Sequence, residues 1–183
     1  MKIWAMLTSR RPDEFMPVAH PAQERYVIAP AAKVVRTFAV AASEAGVRCG
    51  LGRIRAFLFA AGLSDETCGT AEIILAEALN NVDEHAYAGR DAGSPNDIEV
   101  MITLDGTTAA IKITDSGAPL PGLRPPEGHP PPLEGSGAGL PEGGFGWFLI
   151  RSLTTRLSYM RQDNRNMLKL SIDAPAARLT APH

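Results

Sequence analysis

Glu77, Asn81 and His85 recur every four residues in Glu77-Ala78-Leu79-Asn80-Asn81-Val82-Asp83-Glu84-His85-Ala86-Tyr87. At about 3.6 residues per turn, this spacing lines up a carboxylate, an amide and an imidazole along one edge of a helix. Ala71, Leu75, Ala78, Leu79, Val82 and Ala86 fall along the other edge, which is built for a core. A solvated stripe on an ordinary amphipathic helix has the same pattern. The Asn80-Asn81 pair argues for more: asparagine is a mediocre residue inside a helix, and a water-facing edge is better served by Lys, Gln or Glu. Two amides in mid-helix beside a carboxylate indicate a chemical task. Two further stretches carry chemistry. Asp115-Ser116-Gly117 sets a carboxylate at the end of an apolar run, with a glycine that permits a turn closed to other residues; alone, such a pattern is usually just a turn. Gly144-Phe145-Gly146 opens an apolar stripe, and glycines before a helix leave backbone N–H groups able to meet an anion.

The elements that must position these residues follow from periodicity. Val34 to Ala41 is expected to form a strand. Ser43 caps a helix with Val47, Leu51, Ile54, Leu58 and Ala61 on one stripe, ending at Gly62; Gly46, Gly50 and Gly52 mark close packing along it. Ser64, followed by Asp65 and Glu66, opens the helix that carries Glu77 and runs to about Ala88. Beyond a loop with Gly89, Gly93 and Pro95, the alternation of Ile98, Val100, Ile102 and Leu104, then of Ala109, Ile111 and Ile113, gives a hairpin turning at Asp105-Gly106 and delivering Asp115. Residues 116–143 contain eight of the fifteen prolines and no expected strand or helix. A loop of that length in a compact domain is a linker or a lid, and too little chain follows for a second core, which favours a lid. Leu149, Ile150, Leu153 and Leu157 then form a helical stripe, and Leu157 to Arg161 and Met167 to Ile172 form a hairpin around Gln162-Asp163-Asn164-Arg165-Asn166.

Composition bounds the function. The chain has 183 residues, 45% of them hydrophobic and 21% charged, and a formal charge of -2. That fits one globular domain (34–173) with an N-terminal extension (1–33) and a C-terminal tail (174–183), and gives no electrostatic reason to expect nucleic acid or an anionic membrane as ligand. Ile3 to Leu7 is too short for a membrane span, and Ser9-Arg10-Arg11 lacks the apolar run of a twin-arginine signal. Cys49 and Cys68 read as two small core residues with reduced thiols, in a cytoplasmic chain.

The order of the motifs is more specific than any one of them. A helix with Glu-x-x-x-Asn, a strand ending in Asp-x-Gly-x-Pro, a long lid, and Gly-Gly-x-Gly-x-x-Leu-Ile opening a helix resembles the Bergerat-type (GHKL, histidine kinase-like) ATPase superfamily across residues 34–172. Glu77 to Tyr87 and Gly143 to Leu153 resemble, more narrowly, the bacterial anti-sigma-factor serine/threonine kinases. That resemblance implies an α+β two-layer α/β sandwich, a mostly antiparallel sheet with three helices on one face. It implies ATP and Mg2+ as cofactors, with Asn81 as the metal ligand and Glu77 as the general base. Asp115 is implied to accept from the adenine amine, Gly117 to keep the backbone close to the base, and Gly144 and Gly146 to meet the phosphates. Asn80 is a neighbour of open role, and His85 reads as structural or as pocket wall. Where relatives carry a threonine near the last strand, Lys169 is expected to stand here. The implied partners are a STAS-type anti-anti-sigma protein as substrate, a sigma factor to be sequestered, and a second copy in a homodimer. A non-catalytic, nucleotide-responsive regulator and a detached histidine-kinase ATPase domain are the alternative readings.

Overall fold

The computed structural model describes residues 33–89, 97–130 and 145–175. Most of the N-terminal extension, most of the C-terminal tail, and lid residues 131–143 with Gly144 lie outside them. Five strands form one sheet in the order β1-β2-β3-β5-β4, every neighbouring pair antiparallel. They are β1 (Val34–Ala41), β2 (Asp97–Asp105), β3 (Thr108–Asp115), β4 (Arg156–Gln162) and β5 (Arg165–Asp173). Three helices pack against the sheet: α1 (Glu44–Ala60), α2 (Asp65–Asn81) and α3 (Phe145–Leu153). This is the expected two-layer sandwich.

The core lies between the layers, where strand alternation puts Val100, Ile102, Ile111, Ile113, Leu168 and Leu170 under Ile54, Leu58, Ile74, Leu75 and Leu79. The caps are as read from the sequence: the Ser43 and Ser64 hydroxyls accept from the Gly46 and Thr67 amides. Gly46 and Gly50 do mark close packing, a Cβ at Gly50 lying 2.7 Å from a Val40 methyl, but Gly52 does not, since a Cβ there would meet nothing within 4 Å. Of the two cysteines, Cys68 is buried but Cys49 is exposed, so only Cys68 is a core residue. No described helix is long and apolar enough to cross a membrane.

Three boundaries differ from expectation. α3 ends at Leu153, so Leu157 belongs to β4, and the buried residues of α3 are Trp147 and Ile150. A single 3-10 turn, Pro121–Leu123, interrupts the lid, proline supplying the fixed φ its start requires. The α2 hydrogen-bond ladder stops at Asn81, and Val82–Ala86 continue as a π-helical turn closed by the Tyr87 amide on the Val82 carbonyl at 3.1 Å. The Ala86 carbonyl at its end accepts from the Ala118 amide at 2.7 Å, a tertiary bond that draws the helix end toward the Asp115 loop.

Candidate functional site

The wider turn at Val82–Ala86 makes one wall of a cavity of about 470 Å³. Ala78, Asn81, Val82, His85 and Ala86 line that wall, Ile113 and Leu168 the sheet side, Trp147 the α3 side, and Ala118 to Pro121 with Pro126 the roof. Most of the lining is apolar, with Asp115 and Asn166 at one end and Asn81 and His85 at the wall. A mostly apolar cleft with a few placed polar groups is the usual form of a small-molecule site, and its volume suits a nucleoside.

Asp115 ends β3 at 5% exposure. Its Oδ1 accepts from the Gly117 amide at 2.8 Å and from Nδ2 of Asn166 at 2.7 Å. These two donors hold the carboxylate in place at the end of β3. Gly117 is where a side chain could not fit: a Cβ there would lie 2.6 Å from the Ala86 Cβ, so glycine lets the loop lie directly on the end of the π turn.

Asn166 is the functional residue that the sequence reading missed. The expectation had placed it in a five-residue turn. The structure turns instead on Asp163 and Asn164 alone, with φ of 49° and 58°, so β5 begins at Arg165 and Asn166 pairs across from Asp115. Two adjacent residues with positive φ are the signature of a tight hairpin turn, and Asp and Asn tolerate that conformation better than most; that dipeptide was the available signal. Asn166 is 4% exposed. Its amide also donates to the Ala118 carbonyl at 3.0 Å, and its oxygen accepts from the Tyr159 hydroxyl at 2.7 Å and from Arg161 Nη1. Arg161 reaches on to the Gly117 carbonyl at 3.0 Å, the Tyr159 hydroxyl accepts from the Leu120 amide at 3.1 Å, and the Tyr87 hydroxyl accepts from the Ser116 amide at 3.1 Å. The loop from Ser116 to Leu120 is thus held by β4, β5 and the end of the π turn.

Lys169 does not occupy the position expected for it. Buried Leu168 and Leu170 face the helices, so the residue between them points to the other side of the sheet, where Lys169 is exposed. Asn166 and Leu168 are the β5 residues that meet the cavity.

Glu77 and Asn81 stand one turn apart on α2, as the spacing predicts; Asn81 lines the cavity, and Glu77 lies one turn before it, outside the lining. Nδ2 of Asn81 donates to the Glu77 carbonyl at 2.7 Å, so the amide is oriented with its oxygen available to a cation. Gly146, the second residue of α3, packs against Glu77 so closely that a Cβ there would collide with Glu77 Oε2. A carboxylate at the first turn of a helix is favoured by the helix dipole and sits where an anion-binding helix start would hold a phosphate. Gly144 lies outside the described residues. Asn80 is exposed, turned from the cleft, and His85 is exposed at its wall.

The roof is strapped to α3. Arg151 donates from Nε to the Pro126 carbonyl at 2.7 Å and from Nη2 to the Pro125 carbonyl at 2.9 Å. These are charge-assisted bonds to two successive carbonyls that proline ring geometry already holds in line.

Comparisons with known proteins bear on the family and the fold. Residues 40–172 match the family model described as a histidine kinase-like ATPase domain. The chain is 34% identical over 95 residues to the serine/threonine-protein kinase BtrW of Bordetella bronchiseptica, a match covering 52% of this chain and 63% of that protein. It shares its fold with the crystal structure of the RsbU and RsbW domains of Rv1364c from Mycobacterium tuberculosis, with a TM-score of 0.54 and 17% identity over 80% of this chain and 35% of that one.

Proposed function

The chain belongs to the histidine kinase-like ATPase domain family, and from that premise we propose that residues 34–173 form a serine/threonine protein kinase domain that uses ATP and Mg2+. The observation that carries the proposal is the packing of the Glu77 carboxylate on the first turn of α3, one turn of α2 from the Asn81 amide. This packing supports reading Glu77 as the base and Asn81 as the cation ligand, beside the start of α3 and next to a cleft that Asn81 and the anchored Asp115 both line. The residues fit the group: an apolar slot of about 470 Å³ takes a purine nucleoside, and Asp115 accepts from an exocyclic amine. Asn81 would hold the metal, which when bound neutralises charge on the phosphates. Gly146, with Gly144 before it, would present backbone N–H groups to them. Glu77 accepts the proton of the attacking Ser or Thr hydroxyl, the general-base step.

Identity to a serine/threonine-protein kinase supports hydroxyl rather than histidine transfer. The chain spans 63% of that relative's length, so the whole assembly is part of the proposal. In it, the domain works in the bacterial cytoplasm as a homodimeric anti-sigma factor, phosphorylating a STAS-type anti-anti-sigma protein and sequestering a sigma factor, with no direct contact to nucleic acid or membrane.

Incubation of the full chain with γ-labelled ATP and a STAS-domain protein tests this. Acid-stable label on Ser or Thr is expected, and Glu77→Gln should retain ATP binding while transfer falls about a hundredfold or more. Acid-labile label would identify a histidine kinase domain instead, and ATP-dependent partner binding without transfer would identify a regulatory module.

A further inference from the structure

The three helices cover one face of the sheet, and the other face carries a groove of about 350 Å³. Met101, Thr103, Ala110, Lys112, Arg156, Ser158, Lys169 and Ser171 line it, three cations and no carboxylate. Lys112 of β3 and Lys169 of β5 are directly opposed in register, and Arg156 of β4 is paired with Ser171, two residues further along β5. None of the three forms an ion pair among the described residues, where the ion pairs involve Arg48 and Arg55. Four acids on this face stand outside the groove lining: Asp97 opposite Ala41, Glu99 opposite Thr114, and Asp105 and Asp173 on either side of Thr108.

Like charges directly across two strands destabilise a sheet, and a face meant only for water would set a Lys against a Glu or a Thr at such a pair. Breaking that rule on interior strands, in a chain whose formal charge is -2, indicates a role outside folding. A second copy laid face to face across a two-fold axis would bring the cation cluster toward itself, so self-association does not compensate the charge. We propose that this open face docks an acidic segment of a partner protein, its carboxylates seated among Lys112, Arg156 and Lys169 and its backbone met by the hydroxyls of Ser158 and Ser171. The groove lies across the sheet from the nucleotide cleft, so partner and nucleotide can be held together. This inference does not depend on the kinase reading.

Fluorescence anisotropy of the full chain with a labelled decaglutamate peptide at low salt tests it. Replacing Lys112, Arg156 and Lys169 together with Gln is expected to weaken binding about tenfold or more. Replacing Lys33, Arg48 and Arg53 with Gln, an equal charge change elsewhere, should weaken it less than about threefold, as diffuse screening alone predicts. Lys169→Gln alone should raise Tm by about 1–3 °C through relief of the like-charge pair, which a merely structural lysine would not do. Equal losses in the two triple variants, absence of binding by the natural chain, tighter binding of a labelled oligothymidylate, or a lowered Tm for Lys169→Gln would overturn the proposal. So would self-association of the natural chain that the groove variant abolishes, since the occupant would then be a second copy.

Discussion

Asn166→Ala tests whether the nucleotide cleft depends on a residue that need not touch the nucleotide. The Asn166 amide gives the buried Asp115 carboxylate one of its donors at 2.7 Å and the Ala118 carbonyl another at 3.0 Å, and its oxygen takes the Tyr159 hydroxyl at 2.7 Å. A hydrogen bond to a charged group contributes about 1.5–3 kcal/mol net and a neutral one about 0.5–1.5 kcal/mol. Arg161, half-buried, can turn to water and adds little. The expected loss in urea unfolding is therefore about 2.5–6 kcal/mol, against less than about 0.5 kcal/mol for a surface turn residue. Because Asp115 is then held by the Gly117 amide without Asn166, ATP affinity should fall about tenfold or more, roughly 1.4 kcal/mol. Quenching of Trp147, which lines the cleft, reports binding. Asn166→Asp is the sharper variant. It sets a second carboxylate against Asp115, and two carboxylates sharing a site raise the folded-state pKa of one. The native state then binds the extra proton, so the variant should be least stable near neutral pH and regain stability as pH falls through that raised pKa. Wild-type stability and wild-type ATP affinity in Asn166→Ala would refute the reasoning. Lys169→Ala, on the opposite face, should leave ATP affinity unchanged.

Gly146→Ala should cut phosphotransfer more than tenfold, because the added methyl must displace the Glu77 carboxylate, and the ratio of kcat to ATP affinity separates this from simple loss of binding. Arg151→Gln should release Pro125 and Pro126 from α3, raising the ATP dissociation rate several-fold by stopped-flow Trp147 fluorescence while leaving the urea midpoint within about 0.5 kcal/mol. For the thiols, burial first, with Asp65 and Glu72 adding, pushes the Cys68 pKa up against the opposing pull of Arg55. Exposed Cys49 should therefore react promptly with a thiol reagent and Cys68 only on unfolding. Since the unfolded thiol ionises at lower pH than the folded one, Cys68 should also make stability decline as pH rises above about 8.5, a slope that Cys68→Ala removes in urea titrations at pH 8 and pH 10.

What the sequence made legible was whatever depends on local period and order. The caps at Ser43 and Ser64, the alternation of β2 and β3, and the separation of Glu77 from Asn81 by one turn are short-range facts, and the structure has them where the residues put them. The end of α2 was not legible. Asn80 and Asn81 were read as marking a chemical task on a helix running to about Ala88, and the anchoring of its π turn by the Ala118 amide on the Ala86 carbonyl joins partners 32 positions apart, whose meeting no window of sequence contains. The closeness of Gly146 to Glu77 is of the same kind. The motif placed a glycine at a helix start, and only packing shows that it makes room for the Glu77 carboxylate.

The error at Lys169 has a different cause, because the information to avoid it was present. Met167 to Ile172 was read as a strand, and with Leu168, Leu170 and Ile172 inward, Lys169 must point outward, whatever residue relatives carry nearby. Strand parity is a hard steric constraint, whereas a motif position counted from a distant box shifts with any change in turn length. The two-residue turn at Asp163 and Asn164 makes that shift, bringing Asn166 beside Asp115. The same parity already put Lys112 outward between Ile111 and Ile113, so both lysines could be assigned to the open face from sequence alone. That they face each other needed the pairing of β3 with β5, and it is this opposition, rather than the presence of two surface lysines, that turns the open face from a solvated surface into a candidate site for an acidic partner.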